Sequence, residues 1–299
     1  MTKQKDRLKA ERQRFGKIVQ KLRVYTTRMT QVALNEKFDL PDKTIERIEN
    51  GNYVKINTEL LGNLADEFNL TTLERKEFFL AAIAPDHGQL IDRDITDSLT
   101  ILDKLITAMK GVCLPVFIND VYSDVIAVNN MTLELLNVKK ALARATEGVD
   151  RFNLMRFLFE DDSIYKQLVG KSWQAAALQN VSYFRRMTLR YMAESYYDQI
   201  FGALQNYGSF KTFWEMVASR EFAEGKDRSD VVIYEYDHPT LGHIKYVATD
   251  SQAVTRDGEL YYVQYTPADD HTRKMFKKLK EETDAPCEVV RLAHWPRKN

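Results

Sequence analysis

Lys43, Arg47 and Gln31 are the side chains whose types and spacing point most directly to a chemistry: contact with the phosphates and base edges of duplex DNA. Lys43 and Arg47 lie four apart, so a helix puts them on one face. Asp42, Thr44, Glu46 and Asn50 fill out the polar set. Thr44 and the Asn50 region are expected to hold the DNA backbone. Asp42 and Glu46 would repel phosphates, but each could accept from a cytosine amino group. Gln31 belongs to a preceding helix, pointing beyond its end.

The elements that must position these groups run from Thr30 to Gly51. Thr30 is expected to cap the first helix, and Leu34 to be its buried contact. Asp39 stands where that helix must stop, in a left-handed conformation that Asp tolerates. Leu40 plugs the turn, and Pro41 suits the first turn of a second helix, where a missing N–H costs nothing. Ile45 and Ile48 face inward, and Gly51 closes the helix.

These residues resemble the XRE-type helix-turn-helix of phage repressors and bacterial regulators. Thr30-Gln31, Leu34, Glu36-Lys37, Thr44-Ile45 and Arg47-Ile48-Glu49-Asn50-Gly51 carry the match. Asn35 replaces a common Ala and is expected to loosen the approach of the two helices. Asp39 replaces Gly, and Asp42 is acidic on the reading face. The resemblance implies a homodimer, each copy placing its second helix in one half-site of a double-stranded operator, about 34 Å from the other.

Charge placement agrees. The whole chain balances 43 basic against 43 acidic residues, which argues against a general nucleic-acid coat. Residues 1–28, however, hold ten Lys/Arg against Asp6 and Glu11, a surplus of eight. Phosphate anchoring would use such a surplus. The two cysteines, Cys113 and Cys287, are too few for a disulfide scaffold or a metal knuckle, so a reduced cytoplasmic setting is expected. No signal peptide and no membrane span is read. No Gly-rich phosphate loop, HExxH or Gly-x-Ser-x-Gly motif is present, so no enzyme and no catalytic residue is expected. His87, His238, His243, His271 and His294 show no metal-ligand spacing, and His238-Pro239 reads as a turn.

Residues 1–84 form the first expected domain, with apolar stripes over 58–68 and 72–83 completing five helices. Pro85-Asp86-His87-Gly88 breaks that pattern, and 85–94 reads as a linker. The second domain is expected over 95–267. It opens with a helix at 95–110, then strands at Leu114–Asn119 and Asp124–Asn129, then helices over 151–219. Strands at Val231–Tyr236, Ile244–Thr249 and Leu260–Thr266 follow, and 268–299 reads as a helix and tail. The fold class is therefore α+β in two domains: a lambda-repressor-like five-helix head and a PAS-like antiparallel five-stranded sheet with helices on one face.

This second stretch resembles the ligand-binding domain of MmyB-like transcription regulators. Leu114-Pro115-Val116, Asp124 to Asn129, Arg151-Phe152-Asn153-Leu154 with Phe159, His238 to Gly242, and Leu260 to Pro267 carry it. Val128 stands where that family commonly has Trp. A sheet under helices makes a natural apolar cavity. Phe117, Phe157, Met187, Tyr191, Trp214 and Tyr246 are candidate lining residues, with Val263 beside them and Arg186 and Arg190 for an anionic head group. The reading is a regulator that senses a small apolar, fatty-acid-like ligand and holds no obligatory cofactor. Arg185, Arg186 and Arg190 pairing with Glu194 or Asp198 on a solvated face is the plainer alternative. Two further readings stay open: helical repeats that bind a peptide pheromone, which would show no β-structure, and an enzyme. Dimerisation is expected from the second domain, and the helix at 95–110 is expected to pass ligand occupancy to the reader.

Overall fold

The computed structural model describes residues 2–53, 55–91, 97–137, 147–161, 166, 169–224, 233–283 and 288–297. It divides into two compact units. One takes Met1–Arg93 together with Ser182–Gln199 and Trp214–Lys226. The other takes Asp94–Val181, Ile200–Phe213 and Asp227–Asn299.

The first unit contains α1 (Thr2–Leu22), a π-helical turn at Arg23–Thr27, α2 (Gln31–Lys37), α3 (Thr44–Glu49), α4 (Thr58–Glu67) and α5 (Thr72–Ile91). Its core is made by Phe15, Ile18, Val19 and Leu22 of α1 with Leu34, Ile45, Ile48, Leu64, Phe68 and Phe78, all nearly sealed from water. Phe78 anchors it, its ring 5.2 Å from Phe15 and 6.2 Å from Phe68. Each such side chain contributes about 1.5–3 kcal/mol by leaving water. The α5 helix continues through Pro85–Gly88, where a break was expected; the proline removes one amide donor without ending the helix. Residues 92–94 of the expected linker lie outside the described residues.

The second unit holds a six-stranded, wholly antiparallel sheet in the order β3-β4-β5-β1-β2-β6. The strands are β1 (Val116–Asp120), β2 (Val125–Asn129), β3 (Ile233–His238), β4 (Gly242–Thr255), β5 (Gly258–Pro267) and β6 (Val289–Arg291). The expected five strands are therefore six. At three residues β6 is too short to show alternation, and its pairing with β2 is tertiary, so no local pattern betrays it. Residues 231–232 of the expected third strand lie outside the described residues.

Between and beside the strands come α6 (Ser98–Gly111), α7 (Asn130–Leu135), α8 (Leu154–Phe159), α9 (Trp173–Thr188), α10 (Ser195–Leu204), α11 (Gly208–Val217), α12 (Arg220–Glu224) and α13 (Asp270–Glu282). The unit division falls inside α9, α10 and α11. Leu102, Ile106 and Met109 of α6 pack with Val116, Ile118, Ile126, Leu260 and Trp295. Every residue of β1 and β2 is buried, so both faces are covered there, against the expectation of helices on one face only. A sheet of this extent also departs from the helical-repeat alternative. Among the described residues no helix is long and apolar enough to cross a membrane.

Candidate functional site

The α2–turn–α3 segment shows how its polar residues are held. Thr30 caps α2, its hydroxyl accepting from the Ala33 amide at 3.1 Å. Asp39 adopts φ of 49°, the left-handed stop that the sequence required. The second helix starts later than expected. Pro41 lies in the preceding turn, its carbonyl accepting from the Thr44 amide and hydroxyl, and Lys43 at φ of 62° precedes the first helical residue. Asn35 does the opposite of loosening the helix pair. Buried, it offers Oδ1 to the Ile45 amide at 3.0 Å, satisfying a free donor at the start of α3 and tying the two helices together. Gly51 ends α3 at φ of 70°; a Cβ there would lie 2.7 Å from the Gln13 backbone of α1.

Asp42, Lys43, Arg47 and Asn50 are exposed, and Thr44 is half-buried. The α3 helix thus turns a polar face to solvent while Ile45 and Ile48 lock its other side. Gln31 is placed differently from a free side chain: its Nε2 donates to Glu49 Oε2 at 2.6 Å. Glu49 is itself buried and accepts from Arg23 Nε at 2.6 Å and Nη2 at 3.1 Å, while Arg23 Nη1 reaches the Met29 carbonyl at 2.6 Å. Neither the Arg47–Gly51 motif, which includes Glu49, nor the positive charge of residues 1–28, which includes Arg23, points to this pairing. The available signal was Glu49 following Ile48 at the inward edge of α3.

In the second unit, alternation sends Phe117 to the sheet face opposite Val116 and Ile118. Phe117 and Tyr265 have ring centroids 5.8 Å apart, Tyr265 and Tyr246 4.3 Å, and Tyr246 and Tyr236 6.1 Å. Val128, paired with Phe117 across the strands, is buried. A second aromatic group is built from helices: Phe159 of α8 lies 6.0 Å from Trp173, 5.4 Å from Phe210 and 5.9 Å from Phe213. The half-buried Phe157 shares α8 with it.

The family description "MmyB-like transcription regulator ligand binding domain" matches residues 101–279. The chain belongs to this family. It is thereby a transcription regulator with a ligand-sensing domain. No curated protein matches it.

The residues that carry the MmyB-like resemblance earn their places physically. Asn129 is wholly buried and serves four groups, accepting from the Val116 amide and the Thr132 amide and hydroxyl, and donating to the Leu114 carbonyl. Asn153 donates to the Tyr122 carbonyl and to Asp124, both at 2.7 Å, while its own Oδ1 caps α8. His238 is a turn device: its Nδ1 accepts from the Thr240 and Leu241 amides, and burial lowers its pKa.

The ligand candidates of this MmyB-like domain do not fall in one compact unit. Phe117, Phe157 and Tyr246 belong to the sheet-bearing unit, whereas Met187, Arg190, Tyr191 and Trp214 belong to the unit of α1–α5. Arg190 is ion-paired there, its Nε 2.6 Å from Glu77, and Tyr191 lies under the Arg14 guanidinium. Trp214 is buried against Phe184. The expected partners of the arginines also differ: Arg185 meets Glu74 and Arg190 meets Glu77, while Glu194 and Asp198 bind Arg14 and Lys21. Helix periodicity shows which residues share a face but not which distant helix lies opposite.

Buried charge in the sheet-bearing unit was missed altogether. Asp120 closes the β1–β2 turn, accepting from the Tyr122 and Asp124 amides at 2.9 and 3.1 Å. Arg297 binds the carboxylates of both Asp120 and Asp124, with its guanidinium 4.8 Å from the Tyr122 ring. Burial pushes the Asp120 carboxyl up to about 7; Arg297 opposes the shift and Asp124 adds to it. Nothing in the local sequence joins Arg297 to residues so far before it.

Proposed function

We propose that this regulator binds a double-stranded operator as a homodimer through α3, with an apolar small molecule as the effector of its sensing domain. The observation that carries the DNA reading is an exposed polar set, Asp42 and Lys43 in the turn before α3, Arg47 on it and Asn50 at its C-terminal cap, with α3 fixed from behind by Ile45, Ile48 and the Arg23–Glu49–Gln31 network. Lys43 and Arg47 supply phosphate and base contacts, and Asp42 selects against bases that lack a donor. Gln31 is oriented by Glu49 rather than free to search, which suits a fixed backbone contact. The low cysteine count supports a reduced, intracellular setting.

The effector reading rests on the aromatic face around Phe117, Tyr246 and Tyr265. With Arg190 committed to Glu77, the ligand is recognised by apolar contact rather than by that arginine. Native mass spectrometry of the purified full chain tests this. A fatty acid or other apolar mass should be carried or accepted, and Phe117→Ala should weaken its retention. A chain that never retains such a molecule would refute the effector reading.

Binding to a duplex selected from a random pool should weaken steeply with salt. Two phosphates neutralised per protomer, four per dimer, give a logarithmic slope of roughly −3 to −4. Affinity that stays level between low and physiological salt would remove phosphate anchoring from the account.

A further inference from the structure

Arg185 lies in the region matched as ligand-binding domain, yet its whole environment belongs to the unit that contains α1–α5. It is among the largest fully buried side chains, and its charge faces Glu74 of α5 at 3.0 Å, likewise buried. Its other two nitrogens donate to backbone carbonyls, Nη1 to Val217 at 2.8 Å and Nη2 to Phe68 at 3.2 Å. Val217 ends α11, and Phe68 caps the C-terminus of α4. One guanidinium therefore meets two helix C-termini, where cations are favoured, and a carboxylate at a helix N-terminus.

Glu74 is occupied on its other oxygen. Its Oε2 accepts from the Thr71 amide and hydroxyl, while the Thr71 hydroxyl accepts from the Glu74 amide, a reciprocal cap at the start of α5. A second tie lies nearby, Asn69 donating to the Ala218 carbonyl at 3.2 Å. Among the described residues, the other ion pairs that tie 182–199 or 214–224 to the rest of this unit, Arg14–Glu194, Lys21–Asp198, Arg28–Glu215 and Arg190–Glu77, are at least partly exposed and individually weak. Arg185 is the contact with the most at stake, because losing it strands a buried carboxylate.

From α5 the packing leads to α3. Phe78 of α5 packs in a tilted pair against Phe15 of α1, and the next residue, Gly16, lies directly against the backbone of Ile48 and Glu49; a Cβ there would sit 2.4 Å from both carbonyl oxygens. We propose that Arg185 is a positioning residue for DNA reading, and that residues 182–199 and 214–224 of the matched domain are integral parts of the reader. The helical head is complete only when these segments are clasped onto α4 and α5. This inference rests on the DNA-binding reading for its affinity arm alone.

The test uses the full chain and the variants Arg185→Met, Arg185→Lys and Glu74→Gln, with amide hydrogen exchange and duplex affinity both measured. Arg185→Met should raise exchange across residues 58–83, leave the sheet strands protected, and weaken duplex binding about tenfold as the competent fraction falls. Glu74→Gln keeps the helix cap but loses the charge, and should reproduce the exchange change. Adding it to Arg185→Met should add little. Should Arg185→Met fail to fold, Arg185→Lys, which keeps charge but cannot reach all three partners, should show the same local pattern in milder form. Unchanged exchange in 58–83, or loss of protection spread evenly over the chain, would overturn the proposal. A wild-type chain that binds no duplex would sink the DNA reading instead, and the exchange result would still decide the clasp.

Discussion

Glu49→Ala is expected to destabilise the α1–α5 unit by about 3–5 kcal/mol, the cost of stranding one member of a buried ion pair. The arithmetic follows from what Glu49 serves. It accepts from Arg23 twice and from Gln31 once, and it is buried. Its removal leaves Arg23, also buried, with the Met29 carbonyl as its remaining named acceptor. A typical domain is stable by about 5–15 kcal/mol, so about a fifth or more of the total is at risk. Glu49→Gln keeps an acceptor and should cost less. The double change Arg23→Met with Glu49→Ala should cost less than the sum, because no charge is left unpaired. Urea midpoints of these three variants and of Arg23→Met alone decide this. A shift below about 1 kcal/mol for Glu49→Ala would mean that the pair behaves as an exposed one.

Arg297→Ala is expected to cost a similar amount near neutral pH, and the cost should depend on pH in a defined direction. Asp120 in the folded chain titrates near 7, above the ordinary carboxyl value of about 3.9. The folded state therefore binds the proton more tightly than the unfolded state. The contribution of Asp120 to stability is largest in acid and is lost as pH rises from about 4 to about 7, becoming level above that. Arg297 is the influence that lowers the carboxyl's pKa, so removing it carries the loss to higher pH. The deficit of Arg297→Ala should thus be level in acid and widen as pH rises from about 6 to about 9. Asp120→Asn should abolish that widening, since its amide oxygen can still accept from the Tyr122 and Asp124 amides. Urea midpoints across this range test both. A deficit that stays constant with pH, or a widening that survives in the Asp120→Asn background, would contradict the assignment.

The parts of this fold that sequence revealed are those written in local chemistry. Thr30 as a cap, Asp39 in the left-handed region and Gly51 at the end of α3 each follow from what one residue's geometry allows. The ends of β3 and β5 were found within two residues because period two is visible in a single segment, whereas β4 runs six residues past the expected Thr249 through a stretch that is mostly exposed and shows no alternation. What failed was long range. Asn35 looked like a misfit in the helix pair because its hydrogen-bond partner, Ile45, was not considered. For Arg185 and Arg190 the plainer alternative names the nearby Glu194 and Asp198 as partners, whereas Glu74 and Glu77 lie more than a hundred positions earlier. The same limit hid β6 and Arg297. Of the candidate site, the exposure of Asp42, Lys43, Arg47 and Asn50 follows from their polar types, whereas the later start of α3 and the bond from Gln31 to Glu49 were not legible. The aromatic set was legible only as a list of apolar residues, since periodicity cannot say which compact unit each one joins.

Duplex affinity of the Lys43→Ala, Arg47→Ala double variant, measured over a range of salt beside the wild type, bears most directly on the central claim. Neither side chain supports the core, so urea midpoints should match within about 0.5 kcal/mol. Affinity should fall by about 30-fold or more, from roughly 1–3 kcal/mol per lost contact, and the salt slope should become shallower. Equal affinity and an unchanged slope in a folded variant would show that α3 does not enter the duplex.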